Sequence, residues 1–109
     1  MNENSKRIAE LNDVFRSTFA GGKVVMTAGV DALPSDVKAV VIRKVATFSD
    51  FTAENDPHGE HDFGEIELSG RKFLWKIDYY DAAMEFGSED PTDPSKTTRV
   101  LTIMLAEEY

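Results

Sequence analysis

Residues 64–80 constrain the fold most strongly. Gly64, Ile66 and Leu68 alternate with Glu65 and Glu67, and Phe73, Trp75, Ile77 and Tyr79 alternate with Lys72, Leu74, Lys76 and Asp78. A period of two places each set on one face of an extended strand. A tight turn around Ser69-Gly70 sets Ile66 opposite Phe73 and Glu67 opposite Lys72. In that register the apolar faces coincide and the charges pair. An antiparallel hairpin follows, and the rest of the chain must supply its cover.

Upstream, Ile8, Leu11, Val14, Phe15 and Phe19 recur at three- and four-residue intervals, which predicts an amphipathic helix over 5–19. Asn4 or Ser5 can cap its start, and Gly21 and Gly22 can end it with a left-handed turn. Lys23 to Thr27, with Val24, Val25 and Met26, reads as a short buried strand. Pro34 suits a first helical position, and Val37, Val40, Val41, Val45 and Phe48 form the stripe of a second helix over about 34–47. A strand at 39–46 competes, but Lys38, Arg43 and Lys44 fall off the apolar stripe and favour the helix. Residues 81–97, with Gly87, Pro91 and Pro94 among carboxylates, read as a surface loop. Thr98 to Ala106 is apolar on both faces, as a central strand requires. The expected architecture is a single α+β domain over 1–109, an antiparallel sheet of about four strands with two amphipathic helices packed on one face.

Charge narrows the partners. The net charge of −8 is divided unevenly: residues 1–49 hold seven Lys and Arg against five Asp and Glu, and residues 50–109 hold five against fifteen. The halves thus carry +2 and −10, and the second disfavours direct contact with nucleic acid or an anionic membrane. A protein partner, basic in character, suits it better. No apolar run reaches the roughly 18 residues that cross a bilayer, the first ten residues are polar, and cysteine is absent. A cytoplasmic location is expected from these features.

Both histidines fall in one polar stretch, Asp50 to Phe63, among five carboxylates. His58, Glu60, His61 and Asp62 are candidate ligands for a divalent metal, since imidazole and carboxylate both suit zinc or a similar ion. Their spacing reproduces no zinc signature, and no cofactor is expected. His61, with Glu60 or Asp62, is the candidate acid–base group for catalysis. No serine lies in a nucleophile elbow and no glycine-rich loop precedes a helix, so an enzyme is the less favoured class. The structural alternative makes Asp56-Pro57 and His58-Gly59 a turn pinned by Phe48, Phe51 and Phe63. Among the aromatic residues, Tyr80 lies on the opposite strand face from Trp75 and Tyr79, which makes Tyr80, with Asp78 and Asp81, the candidate interface.

Gly59-Glu60-His61-Asp62-Phe63-Gly64, Trp75-Lys76-Ile77-Asp78-Tyr79-Tyr80-Asp81 and Thr98-Arg99-Val100-Leu101-Thr102-Ile103-Met104-Leu105-Ala106 resemble the family catalogued as domain of unknown function 3768. The likeness runs from about residue 8 to the end. It brings no activity, cofactor or catalytic residue with it. What the resemblance implies is a bacterial, often mobile-element setting, and with it an accessory role in binding or inhibiting another protein. Three functions are expected from different classes: a protein-binding module, in one form an acidic nucleic-acid mimic; a metal-dependent or acid–base enzyme at His58–Asp62; and a structural or regulatory domain without a ligand.

Overall fold

The structure, a computed structural model, describes residues 3–109. Helix α1 (Glu3–Thr18) leads to strand β1 (Gly22–Met26), the four-residue helix α2 (Ala28–Asp31) and helix α3 (Ser35–Ala46). Strands β2 (Phe63–Leu68), β3 (Arg71–Tyr80) and β4 (Thr98–Leu105) follow, with short 3-10 turns at Pro94–Lys96 and Ala106–Glu108. The four strands make one sheet in the order β1-β4-β3-β2.

The hairpin has the expected register, with Ile66 opposite Phe73 and Glu67 opposite Lys72. Ser69 and Gly70 both take positive φ, 54° and 78°. That is the primed turn whose twist matches the strands it joins. β4 is central and antiparallel to β3, and it is buried on both faces through Leu101, Ile103 and Leu105 on one side and Val100 and Met104 on the other.

The sheet is mixed where an antiparallel one was expected. β1 runs parallel to β4, Gly22 beside Arg99 through to Met26 beside Ile103. A hairpin forces antiparallel pairing, whereas two helices and a hairpin separate β1 from β4 and leave its direction free. β1 is also an edge strand and not a buried one, with Val24 36% and Val25 46% exposed. A run of β-branched residues looks the same at an edge and in a centre, because burial there is decided by neighbours.

All three helices lie on one face. Phe15, Val30, Val41 and Val45 close over Phe73, Trp75, Ile77, Leu101, Ile103 and Leu105 to form the core. The β-branched content of α3 costs about 2–3 kcal/mol in intrinsic propensity. Complete burial of Val41 and Val45 alone returns about 1.5–3 kcal/mol each, so packing decides for helix. Gly64 has no side chain because a methyl there would collide with the indole of Trp75.

In α1 the details differ from the pattern. The helix is under way by Glu3, so Asn4 and Ser5 lie inside its first turn and do not cap it. It ends at Thr18, and Phe19, expected within it, takes left-handed φ of 59° while its ring still packs on the core. Val14 is exposed, and Asn12 and Arg16 are buried in its place.

The other face of the sheet carries no helix. Strand register puts Lys23 and Val25, Val100 and Thr102, and Lys76, Asp78 and Tyr80 on it. Tyr109 rests beside Phe63 at one end, ring centroids 6.0 Å apart. Glu108 fixes that terminal turn by accepting from Thr27 Oγ1, the Gly29 N–H and the Leu105 N–H. Among the described residues no helix is long and apolar enough to cross a membrane.

Candidate functional site

The segment between α3 and β2 holds itself in shape before it touches anything else. The Thr52 N–H donates to Asn55 Oδ1 at 2.8 Å, Asn55 Nδ2 donates to the Asp50 carbonyl at 2.8 Å, and the Asp56 N–H donates to the Thr52 carbonyl at 2.9 Å. The buried Asp56 carboxylate then accepts the His61 N–H at 3.3 Å and lies 3.6 Å from His61 Nε2. His61 has φ of 55°, a conformation that costs a non-glycine residue about 1–3 kcal/mol unless its surroundings fix it. Those surroundings are specific. The ring stacks on Phe51 at 3.9 Å with planes 1° apart, and Nδ1 sits 3.0 Å from both carboxylate oxygens of Asp13 on α1.

Beneath the loop runs a buried polar chain. Arg99 Nε donates to Asn12 Oδ1 at 2.7 Å, Asn12 Nδ2 donates to Tyr79 Oη at 2.8 Å and to the Glu60 carbonyl at 2.9 Å, and Tyr79 Oη donates to Asp62 Oδ2 at 3.1 Å. Every polar group of Asn12, which has no exposed surface, is thereby used. Arg16 completes the seam: it donates to the Phe48 carbonyl, bonds Asp13, and lies over the rings of Phe51 and Trp75 at 5.2 and 5.0 Å. The loop is thus tied to α1 and β3 by side chains distant in sequence.

Burial sets the titration of this cluster. It raises the Asp62 carboxyl, with Asp56 adding to the rise and the Tyr79 hydroxyl opposing it. Burial likewise raises Glu60, and repulsion from Asp62 adds to it. Tyr79 is pushed far up by burial first and the Asp62 charge second, so its phenol stays protonated. Burial lowers Arg99.

The candidate residues separate into two groups. Glu60 and Asp62 share the environment of Tyr79 and feel His58, which is exposed. His61 is engaged instead with Asp13, Asp56 and Phe51. Among the described residues no three His, Asp or Glu side chains gather so as to hold a metal ion. A cleft of about 380 Å³ lies elsewhere, between α3 and the hairpin turn, lined by Leu33, Val37, Val40, Leu68 and Phe73 with Arg71 at its side.

The candidate interface residues meet at the far end of β3. Asp78 and Tyr80 are half-buried on the helix-free face, and Asp78 is paired with Lys76 at 2.9 Å. Asp81 has a structural task, accepting the Glu85 N–H at 3.0 Å. The Met84 N–H donates to the Asp81 carbonyl, the Asp81 N–H to the Phe86 carbonyl, and Gly87 bridges to Tyr80. This closed turn holds Phe86 72% exposed, with Met84 beside it at φ of 61°.

Residues 26–108 match the family described as Protein of unknown function (DUF3768). The chain belongs to this family. No curated protein and no solved structure matches it. Within the DUF3768 span lie the His61 loop, the hairpin, the Phe86 turn and β4, whereas Asn12, Asp13 and Arg16 precede it.

In this DUF3768 chain Phe86 is the exposed aromatic residue that the periodicities do not single out. An aromatic residue inside an acidic, glycine- and proline-bearing loop has no core to join, and that mismatch was readable. The carboxylates of the helix-free face are of mixed company: Glu65 lies 3.9 Å from Lys72, and Asp78 is paired with Lys76. Glu85, Glu89 and Asp90 lie apart from them in the loop over 81–97.

Proposed function

We propose that this DUF3768 protein is a cytoplasmic protein-binding module that presents the loop over 81–97 to a basic partner, with Phe86 as its anchor. The observation that carries this reading is the 72% exposure of Phe86 on a turn whose backbone is internally hydrogen-bonded. An aromatic ring held on a rigid turn offers large contact area and loses little freedom when it enters a pocket. Charge supports the partner's character. Residues 81–97 contain Asp81, Glu85, Glu89, Asp90 and Asp93 against one cation, Lys96. A pocket rimmed by lysine or arginine is the complement, and opposite potentials speed the encounter. Tyr80, at the foot of the turn, widens the contact.

The lysines among Glu65, Glu67 and Asp78 speak for such a module over a nucleic-acid mimic, which needs an unbroken anionic face. The hydrogen bonds that consume His61 and Asp56 speak for the His58–Asp62 loop as a clasp between α1 and the sheet.

Affinity capture from host lysate, run in parallel with wild type and variants, tests the proposal. Phe86→Ser and the double reversal Glu85→Lys, Glu89→Lys are expected to lose the same captured protein, and Val14→Ser, an exposed apolar site on α1, to retain it. Phe86→Ser should change stability by less than about 0.5 kcal/mol, as for other surface positions. Full capture by Phe86→Ser would remove the anchor from the reading.

A further inference from the structure

The two edges of the sheet are built differently. β2 presents Glu65 and Glu67, and the segment holding Phe48, Asp50 and Asn55 stands beside it. Charges and covering loops are what keep an edge strand from pairing with another chain. Among the described residues β1 has neither proline nor covering loop, and its one charge, Lys23, lies on the helix-free face away from Val24. Its sequence is Gly-Lys-Val-Val-Met, with both valines exposed.

The phase of β1 can be fixed from one bond. The Thr27 N–H donates to the Ile103 carbonyl at 3.1 Å, so Thr27 and, by alternation, Val25 and Lys23 direct their backbone groups toward β4. Gly22, Val24 and Met26 therefore direct theirs outward. Among the described residues nothing pairs with them.

We infer that β1 is the seam of a homodimer, pairing antiparallel with β1 of a second copy about a two-fold axis through Val24. In that register Val24 bonds Val24 of the second copy, and Gly22 bonds Met26 of the second copy, so all three outward-facing residues gain partners. The side chains agree with the backbone. Gly22 is bare because the Phe15 ring lies over it, leaving a low place beside an aromatic ring opposite the long, polarisable Met26. On the helix-free face Lys23 falls opposite Val25, so the two lysines do not oppose each other. Charge permits the same edge: β1 carries Lys23 and no carboxylate, so no acidic side chains of the two strands meet across the seam. The axis stands perpendicular to the sheet, giving eight continuous strands with the helices of both copies on one side.

The register makes a test that nonspecific association does not pass. Sedimentation equilibrium of the full chain over a concentration series is expected to give twice the chain mass, dissociating on dilution. Val24→Pro removes an outward N–H and leaves the bonds to β4 intact, and it is expected to give a monomer that melts cooperatively. Val25→Lys places two lysine pairs across the seam and should weaken the dimer about tenfold or more, whereas Val25→Glu faces Lys23 and should hold it at least as tightly as wild type. The two Val25 variants keep the inference testable should Val24→Pro fail to fold. A wild type that stays monomeric throughout, or Val25→Lys and Val25→Glu behaving alike, would overturn it.

Discussion

Replacing Asn12 with alanine tests the claim that the polar seam holds the loop over 47–62 on the sheet. Asn12 is completely buried and makes three hydrogen bonds, to Arg99, Tyr79 and the Glu60 carbonyl. The bond from Arg99 Nε is charge-assisted and buried, so its loss costs about 1.5–3 kcal/mol. The Glu60 carbonyl loses a donor at about 1 kcal/mol, while Tyr79 keeps Asp62 and loses less. The total is about 3–4 kcal/mol, or a fall of roughly 10–20 °C in melting temperature for a domain of this size. Urea denaturation followed by tryptophan fluorescence reads it directly, because Trp75 lies in the core beneath the same loop. Asn12→Asp keeps an acceptor for Arg99 and forfeits the two amide donations, so it should cost about half as much. Amide exchange should accelerate across 49–62 in both variants, more than in α3. A loss under about 1 kcal/mol for Asn12→Ala would refute the idea that these bonds act together.

Two further outcomes follow from the same geometry. Gly64→Ala drives a methyl into the Trp75 indole and should destabilise by about 2 kcal/mol, within the usual cost of overpacking, with a shift in tryptophan emission as its signature. Because burial raises the Asp62 carboxyl, its folded form holds a proton that the unfolded chain has released, so its contribution to stability falls as pH climbs above about 4 and the cost is complete above the folded pKa. Asp62→Asn can still accept the Tyr79 hydroxyl and removes that cost; the variant should gain on wild type near pH 7, and the gain should shrink toward pH 4. An equal difference at both pH values would mean that the carboxylate is not strained by its burial.

Much of the sheet was legible in the sequence because its determinants are local. The hairpin register follows from Ile66, Phe73, Glu67, Lys72 and one turn, all within a few residues of each other. β4 declared itself by having apolar residues at every phase. The polar seam was hidden for the opposite reason. Asn12 and Arg16 look like surface residues of an amphipathic helix, and their burial depends on Arg99, Tyr79 and Phe48, between 32 and 87 positions away. His61 stood out with its neighbours by composition, but its partner Asp13 lies 48 positions upstream and could not be paired with it by spacing. The edge position of β1 and its parallel direction depend on where the chain travels next, which no property of Val24 or Val25 records.

The parallel seam between β1 and β4 also orders events in time. Gly22 and Arg99 are 77 positions apart, the difference of their numbers, so during vectorial synthesis β1 leaves the ribosome long before β4, its neighbour in the sheet, exists. The β2–β3 hairpin can close in the meantime, but Trp75 and Phe73 lack the strand beside them until residues 98–105 emerge. The nascent chain therefore carries its valine-rich strand uncovered until β4 is made, and a chaperone that grips short extended apolar segments would find a foothold there.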